Sequence, residues 1–133
     1  MNCLDSTFVV DFLDPEADDH GAAIAWMREH GDEALAVPSV CVFEVLRGAA
    51  RAGEERFDRA VGFVRTLQVL PLDLDAAVAA GDLDGRLHAR GTPLGARDTL
   101  VATPAREHGY VLVTRNRDFE AVPALDVAFY DEE

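Results

Sequence analysis

The chain contains no lysine. All 12 of its basic residues are arginines, set against 25 aspartates and glutamates, which gives a formal charge of -13 in 133 residues. Two classes with acidic pockets that depend on a lysine are thereby excluded: phosphorelay receiver domains, and phosphatases of the DxD type, which also need a second acid where this chain has Thr7. A charge this negative repels polyanions at a distance, so a broad basic groove for duplex nucleic acid is excluded as well. Salt screens such self-repulsion, and the composition suits a salt-rich, halophilic cytoplasm. Cysteine is nearly absent: Cys3 and Cys41 have no Cys-x-x-Cys spacing, which excludes a disulfide framework and a thiolate zinc site. No apolar run reaches the roughly 18 residues of a membrane span, and the N-terminus lacks the basic flank of a signal peptide. The expected location is the cytoplasm.

The apolar fraction is 49 %, enough for a sizeable core, and the length fits one domain over residues 1–133. Short apolar runs at 2–5, 34–37, 67–70, 110–114 and 125–130 read as strands. Between them lie segments with helical spacing: Thr7 to Leu13, Gly21 to Glu29, 40–52, 54–67, 75–91 with Gly91 as its C-cap, and a helix beginning near Arg97. Ala22, Ile24, Ala25 and Trp26 are expected to face a core, as are Val40, Phe43, Val45 and Leu46. Pro104 falls inside the last helix, where a proline costs about 3 kcal/mol unless the helix bends or starts late. This alternation predicts an α/β domain of three layers, with a short, mostly parallel central sheet flanked by helices.

In an open parallel sheet, ligands bind beyond the carboxyl ends of the strands. Asp5 ends the first strand, Glu44 lies on the second turn of the helix after the second strand, and Asp98 lies in the first turn of the helix after TPLG. Asn116 and Asp118 follow the strand YVLVT. Two carboxylates about 4 Å apart repel by about 4 kcal/mol at an effective dielectric of about 20, so such a cluster takes up protons or a cation. Oxygen-only ligands suit Mg²⁺ or Mn²⁺ better than zinc. His20, His30, His88 and His108 occupy polar or helix-end settings and read as surface or capping residues.

The segments LDSTFVVDFL, SVCVFEVLRGA and GTPLGARDTLVATPAREHGYVLVTRNRDFEAV together resemble the PIN-domain family, and within it the small toxin ribonucleases of toxin–antitoxin pairs. The resemblance spans nearly the whole chain. It implies a metal-dependent endoribonuclease whose metal-binding and catalytic acids are Asp5, Glu44 and Asp98, with a fourth from TRNRDF: Asp118 as the charged group and Asn116 as an orienting one, or Asn116 itself. Ser6, Thr7 and Thr114 are expected to support these ligands, and Arg97, Arg115 and Arg117 to pair with them or contact substrate phosphates. The resemblance further implies an RNA substrate, a Mg²⁺ or Mn²⁺ cofactor, a cognate antitoxin and a homodimer. Two other readings of the same residues are a non-enzymatic acidic α/β interaction protein and a housekeeping RNA-processing nuclease.

Overall fold

The computed structural model describes residues 1–132. In chain order it contains β1 (Asn2–Leu4), α1 (Ser6–Leu13), α2 (His20–His30), β2 (Leu35–Pro38), α3 (Ser39–Ala52), α4 (Glu54–Val64) and β3 (Gln68–Leu70). There follow α5 (Leu74–Ala89), α6 (Ala96–His108), β4 (Val111–Thr114), a 3-10 turn (Arg117–Ala121) and β5 (Asp126–Phe129). The strands form one sheet in the order β3-β2-β1-β4-β5, and every pairing is parallel. Cys3 of β1 stands level with Ala36 on one side and Leu112 on the other.

Because strand side chains alternate between faces, the three-residue β1 serves two cores at once. Cys3 and Leu112 pack against Leu83, Leu87, Val101, Ala102 and Ala105 of α5 and α6. Leu4 and Val113 pack on the opposite face with Phe8 and Val9 of α1, Ala23 of α2, and Tyr130. Phe8 anchors this second layer, meeting Trp26 and Tyr130 edge-on at ring separations of 5.1 and 4.9 Å. The three-layer α/β architecture matches the arrangement expected from the sequence.

Local differences have simple causes. Ala23 is the fully buried residue of α2, while Ala25 faces solvent, because α2 covers only the edge of the Phe8 cluster. Phe43 is 63 % exposed, with the Arg47 guanidinium over its ring, since α3 turns Cys41 and Val45 to the two cores instead. α6 neither stops nor starts late at Pro104. It runs from Ala96 to His108, and hydroxyls of Thr99 and Thr103 donate to the carbonyls of Gly95 and Thr99 at 2.7 and 2.6 Å. Gly95 (φ +86°) and Gly109 (φ +69°) bound the helix in conformations that a side chain would strain.

Both cysteines are buried and reduced. Burial, with the field of Asp5 added, pushes the Cys3 thiol up to about 12 from an ordinary 9.0, and the same causes raise Cys41, partly offset by Arg97. The folded protein keeps the Cys3 proton where the unfolded chain releases it, so stability is full below about pH 9 and declines as pH climbs toward 12. Unfolding free energies from urea denaturation are expected to hold up to about pH 9 and to fall from about pH 9 to about pH 11, by up to about 1.4 kcal/mol per pH unit for each thiol.

Candidate active site

The chain passes from β1 to β2 and β3 on one side and then crosses over to place β4 on the other, so the sheet order reverses between β1 and β4. The crevice at the carboxyl ends of these two strands is the place such sheets offer a ligand. Asp5 lies there. Its backbone N–H donates to Val113 O at 3.0 Å, continuing the ladder, and its carbonyl accepts from the N–H groups of Phe8 and Val9 in the first turn of α1. Asp5 is therefore both the last residue of a strand and the N-cap of a helix, whose partial positive charge favours a carboxylate.

The side chain of Asp5 has no exposed surface, and its neighbours hold it from behind. Oδ2 accepts from the Thr114 hydroxyl at 2.7 Å and from Thr7 at 3.3 Å, while Oδ1 accepts from the Ser6 N–H at 2.7 Å and the Cys41 thiol at 3.7 Å. The Asn116 N–H donates to the Thr114 oxygen at 3.1 Å, which leaves the threonine proton to point at Asp5. The orientation of this carboxylate is thus set by groups from α1, α3 and β4.

Glu44 on α3 and Asp98 in the first turn of α6 converge on the same crevice, and one guanidinium joins all three acids. Arg97 Nη2 donates to Asp5 Oδ1 at 3.0 Å and to Glu44 Oε1 at 2.8 Å, and also to the Ser6 hydroxyl. Its Nε lies 3.0 Å from both Glu44 oxygens, and its Nη1 lies 2.6 Å from Asp98 Oδ1. Burial works against the guanidinium charge, but the hydrogen bonds to Glu44 and Asp98 and the field of Asp5 outweigh it and raise the arginine pKa above its ordinary value. Three carboxylates face one cation here, so two formal negative charges stay unmatched.

Asn116 and Asp118 separate at this point. Asn116 Nδ2 donates to Asp98 Oδ2 at 3.3 Å, and its Oδ1 accepts from the Asp118 N–H at 3.0 Å, capping the 3-10 turn. Asp118, carried on that turn, is exposed. Arg115 Nε pairs with Asp11 at 2.8 Å and Asp19 at 3.5 Å, while Arg117 pairs with Asp131 at 2.7 Å and stacks over Phe129. Of the expected site residues, the structure brings together Asp5, Glu44, Asp98, Arg97, Ser6, Thr7, Thr114 and Asn116.

Asp11 was not among the expected site residues, although it stands between Val10 and Phe12 much as Asp5 stands between apolar neighbours. It is 3 % exposed and accepts from the Tyr130 hydroxyl at 2.5 Å, alongside Arg115. Burial and this hydrogen bond hold the Tyr130 pKa above its ordinary value.

The donor set fits a hard divalent ion in its chemistry: carboxylate oxygens and one carboxamide, with no imidazole or thiolate facing the crevice. The spacing is that of the seated guanidinium. Among the described residues, no three His, Cys, Asp or Glu side chains stand close enough to share a metal ion. Among the same residues, no helix is long and apolar enough to cross a membrane.

Comparison with known proteins places these features in context. The PIN domain model matches residues 3–125. The chain is 33 % identical over 96 residues to the tRNA(fMet)-specific endonuclease VapC of Salmonella typhimurium, a stretch covering 70 % of this chain and 73 % of that protein. To the VapC ribonuclease Y4jK of Sinorhizobium fredii it is 32 % identical over 136 residues, covering 96 % and 95 %. The crystal structure of DNA-bound VapBC from Salmonella typhimurium is similar with a TM-score of 0.83 and 26 % identity, over 97 % of each chain.

Proposed function

The chain belongs to the PIN-domain family, among its VapC-like ribonucleases, and on that footing we propose that it is a Mg²⁺- or Mn²⁺-dependent endoribonuclease, the toxin of a toxin–antitoxin pair. The observation that carries this reading is the convergence of Asp5, Glu44 and Asp98 at the strand-order reversal, with two formal negative charges left unmatched by Arg97. Asp5 and Asp98 would hold the ion, with Glu44 beside them and Asp118 reaching in from the rim as the fourth carboxylate. Bound there, a divalent ion supplies positive charge to the scissile phosphate and makes a neighbouring water easier to deprotonate.

The residues of the chain do the rest. Asp5 is immobile because Ser6, Thr7 and Thr114 fix both of its oxygens, so it sets the position of the site. Asn116 orients Asp98. Glu44 is partly exposed on α3, which lets it turn toward the attacking water and accept its proton. In-line displacement at phosphorus then leaves a 5′-phosphate and a 3′-hydroxyl. Arg117, on the same exposed turn as Asp118, and Arg115 would meet the phosphate backbone by leaving their pairings with Asp131 and Asp11.

The acidic surface favours a short single-stranded or looped RNA over a long duplex. The relative named for tRNA(fMet) makes that RNA the first substrate to try. A VapBC structure among the neighbours supports an antitoxin partner, which would cover the crevice, and the half-buried Trp26 and Met27 of α2 with Phe57 and Val61 of α4 would serve a homodimer. After dialysis against EDTA the protein is expected to leave tRNA(fMet) intact, and Mg²⁺ or Mn²⁺ should restore cleavage to 3′-hydroxyl ends. Cleavage in EDTA, or 2′,3′-cyclic phosphate products, would contradict the reading. The seated guanidinium favours one competitor, an acidic interaction protein with a permanently closed cluster, which would bind no discrete metal ion.

A further inference from the structure

Every oxygen that the three acids turn to the crevice accepts a hydrogen bond, all but one of them from Arg97. Asp5 Oδ2 is turned inward to Thr114 and Thr7, so the oxygen it presents to the crevice is Oδ1, and Arg97 holds it. Asp98 gives Oδ1 to Arg97 and Oδ2 to Asn116. Both Glu44 oxygens meet Arg97. The oxygens that Asp5 and Glu44 turn to one another are bridged by the guanidinium, which stands where an ion shared by these acids would stand.

From this geometry we propose that Arg97 is a built-in competitor for the metal: its guanidinium holds the three carboxylates together in the metal-free protein and must withdraw before a divalent ion can bind. The proposal rests on the metal-site reading above and goes beyond it by assigning the crevice two exclusive occupants from within one chain. Arg97 is suited to the exchange. Its side chain is 33 % exposed and sits at the crevice mouth in the first turn of α6, so it can swing to solvent without unpacking the helix, whereas Asp5 behind it cannot move. Two consequences follow from mass action. The apparent metal affinity is reduced by the fraction of molecules with the crevice open, and the guanidinium stabilises only the metal-free state. If the seat is worth one or two net charge-assisted hydrogen bonds, the open fraction is about 0.1 to 0.01.

The test is a calorimetric titration of EDTA-treated full-length protein with Mn²⁺, paired with thermal melts with and without the ion. Arg97→Ala is expected to bind Mn²⁺ about tenfold to a hundredfold tighter than the wild type at one site, to melt lower without metal, and to gain more from its addition. Guanidinium chloride at about 20 mM should weaken Mn²⁺ binding to Arg97→Ala, while NaCl at the same concentration should not. Arg97→Lys keeps the charge but cannot span three carboxylates. It should bind with intermediate affinity, and it carries the test if the alanine variant does not fold. Equal or weaker Mn²⁺ binding by folded Arg97 variants overturns the competitor role while leaving the metal site intact. Absence of a discrete Mn²⁺ site in the wild type and all variants overturns the metal-site reading and the competitor with it.

Discussion

Asp5→Asn should slow metal-dependent RNA cleavage by about a thousandfold or more in a protein that still folds. The expected loss comes from charge. Several kcal/mol of transition-state stabilisation depend on a divalent ion held in place, and about 4 kcal/mol corresponds to about a thousandfold in rate. An asparagine at position 5 keeps one carbonyl oxygen for the Ser6 N–H, and its NH₂ can donate to the Thr114 oxygen, whose own proton is free to rotate. The cap survives while the fixed negative charge disappears. Its stability cost is therefore small, about 1 kcal/mol from the lost attraction to the α1 N-terminus and to Arg97. Cleavage rates on tRNA(fMet) and a urea denaturation curve, measured on the same preparation, separate the two effects. A folded Asp5→Asn protein that retained wild-type cleavage would remove Asp5 from the site.

Asp11→Ala should act in the opposite sense, destabilising the fold by about 3 kcal/mol without touching the crevice. Asp11 is buried beneath α1 and ties it to Tyr130 just beyond β5 and to Arg115 just beyond β4. Truncation strands a buried tyrosine hydroxyl, at about 1–3 kcal/mol, and releases an arginine that is 41 % exposed and so recovers part of its loss in water. Removing one partner of a fully buried ion pair costs about 3–5 kcal/mol, and the exposure of Arg115 keeps this case at the lower end. Tyr130→Phe removes the hydroxyl together with its need for a partner and should cost less than half as much. A lowered urea midpoint with unchanged Mn²⁺ affinity is the expected result for Asp11→Ala, and a change below about 1 kcal/mol would show that Asp11 does not hold the sheet edge.

Strand and helix order was legible because apolar runs of four or five residues alternate with segments of helical spacing, and a βαβ chain has few ways to arrange such a series. Asp5, Glu44 and Asp98 were legible for a related reason: each follows closely on a strand or opens a helix, so backbone topology alone carries it to the carboxyl edge. Arg97 was visible as a neighbour of Asp98, but its role was not. Whether an arginine side chain points to solvent or across the sheet to an acid 92 residues earlier depends on tertiary packing, which local spacing does not encode. The same limit hid the Asp11–Tyr130 contact, which spans 119 residues. Asn116 and Asp118 were divided by turn geometry. The asparagine side chain accepts the Asp118 N–H and starts a 3-10 turn, which leaves the carboxamide at Asp98 and Asp118 exposed. Phe43 misled because it lies among apolar residues on a helix whose buried positions, Cys41 and Val45, fall two residues to either side.

A crystal soaked in Mn²⁺ and measured for anomalous scattering would decide whether these acids form a metal site. The expected map has one strong peak between Asp5 and Asp98, ligated by their carboxylates, with the Arg97 guanidinium withdrawn to the crevice mouth. Weak peaks scattered over the acidic surface, with Arg97 still seated on Asp5, Glu44 and Asp98, would contradict it.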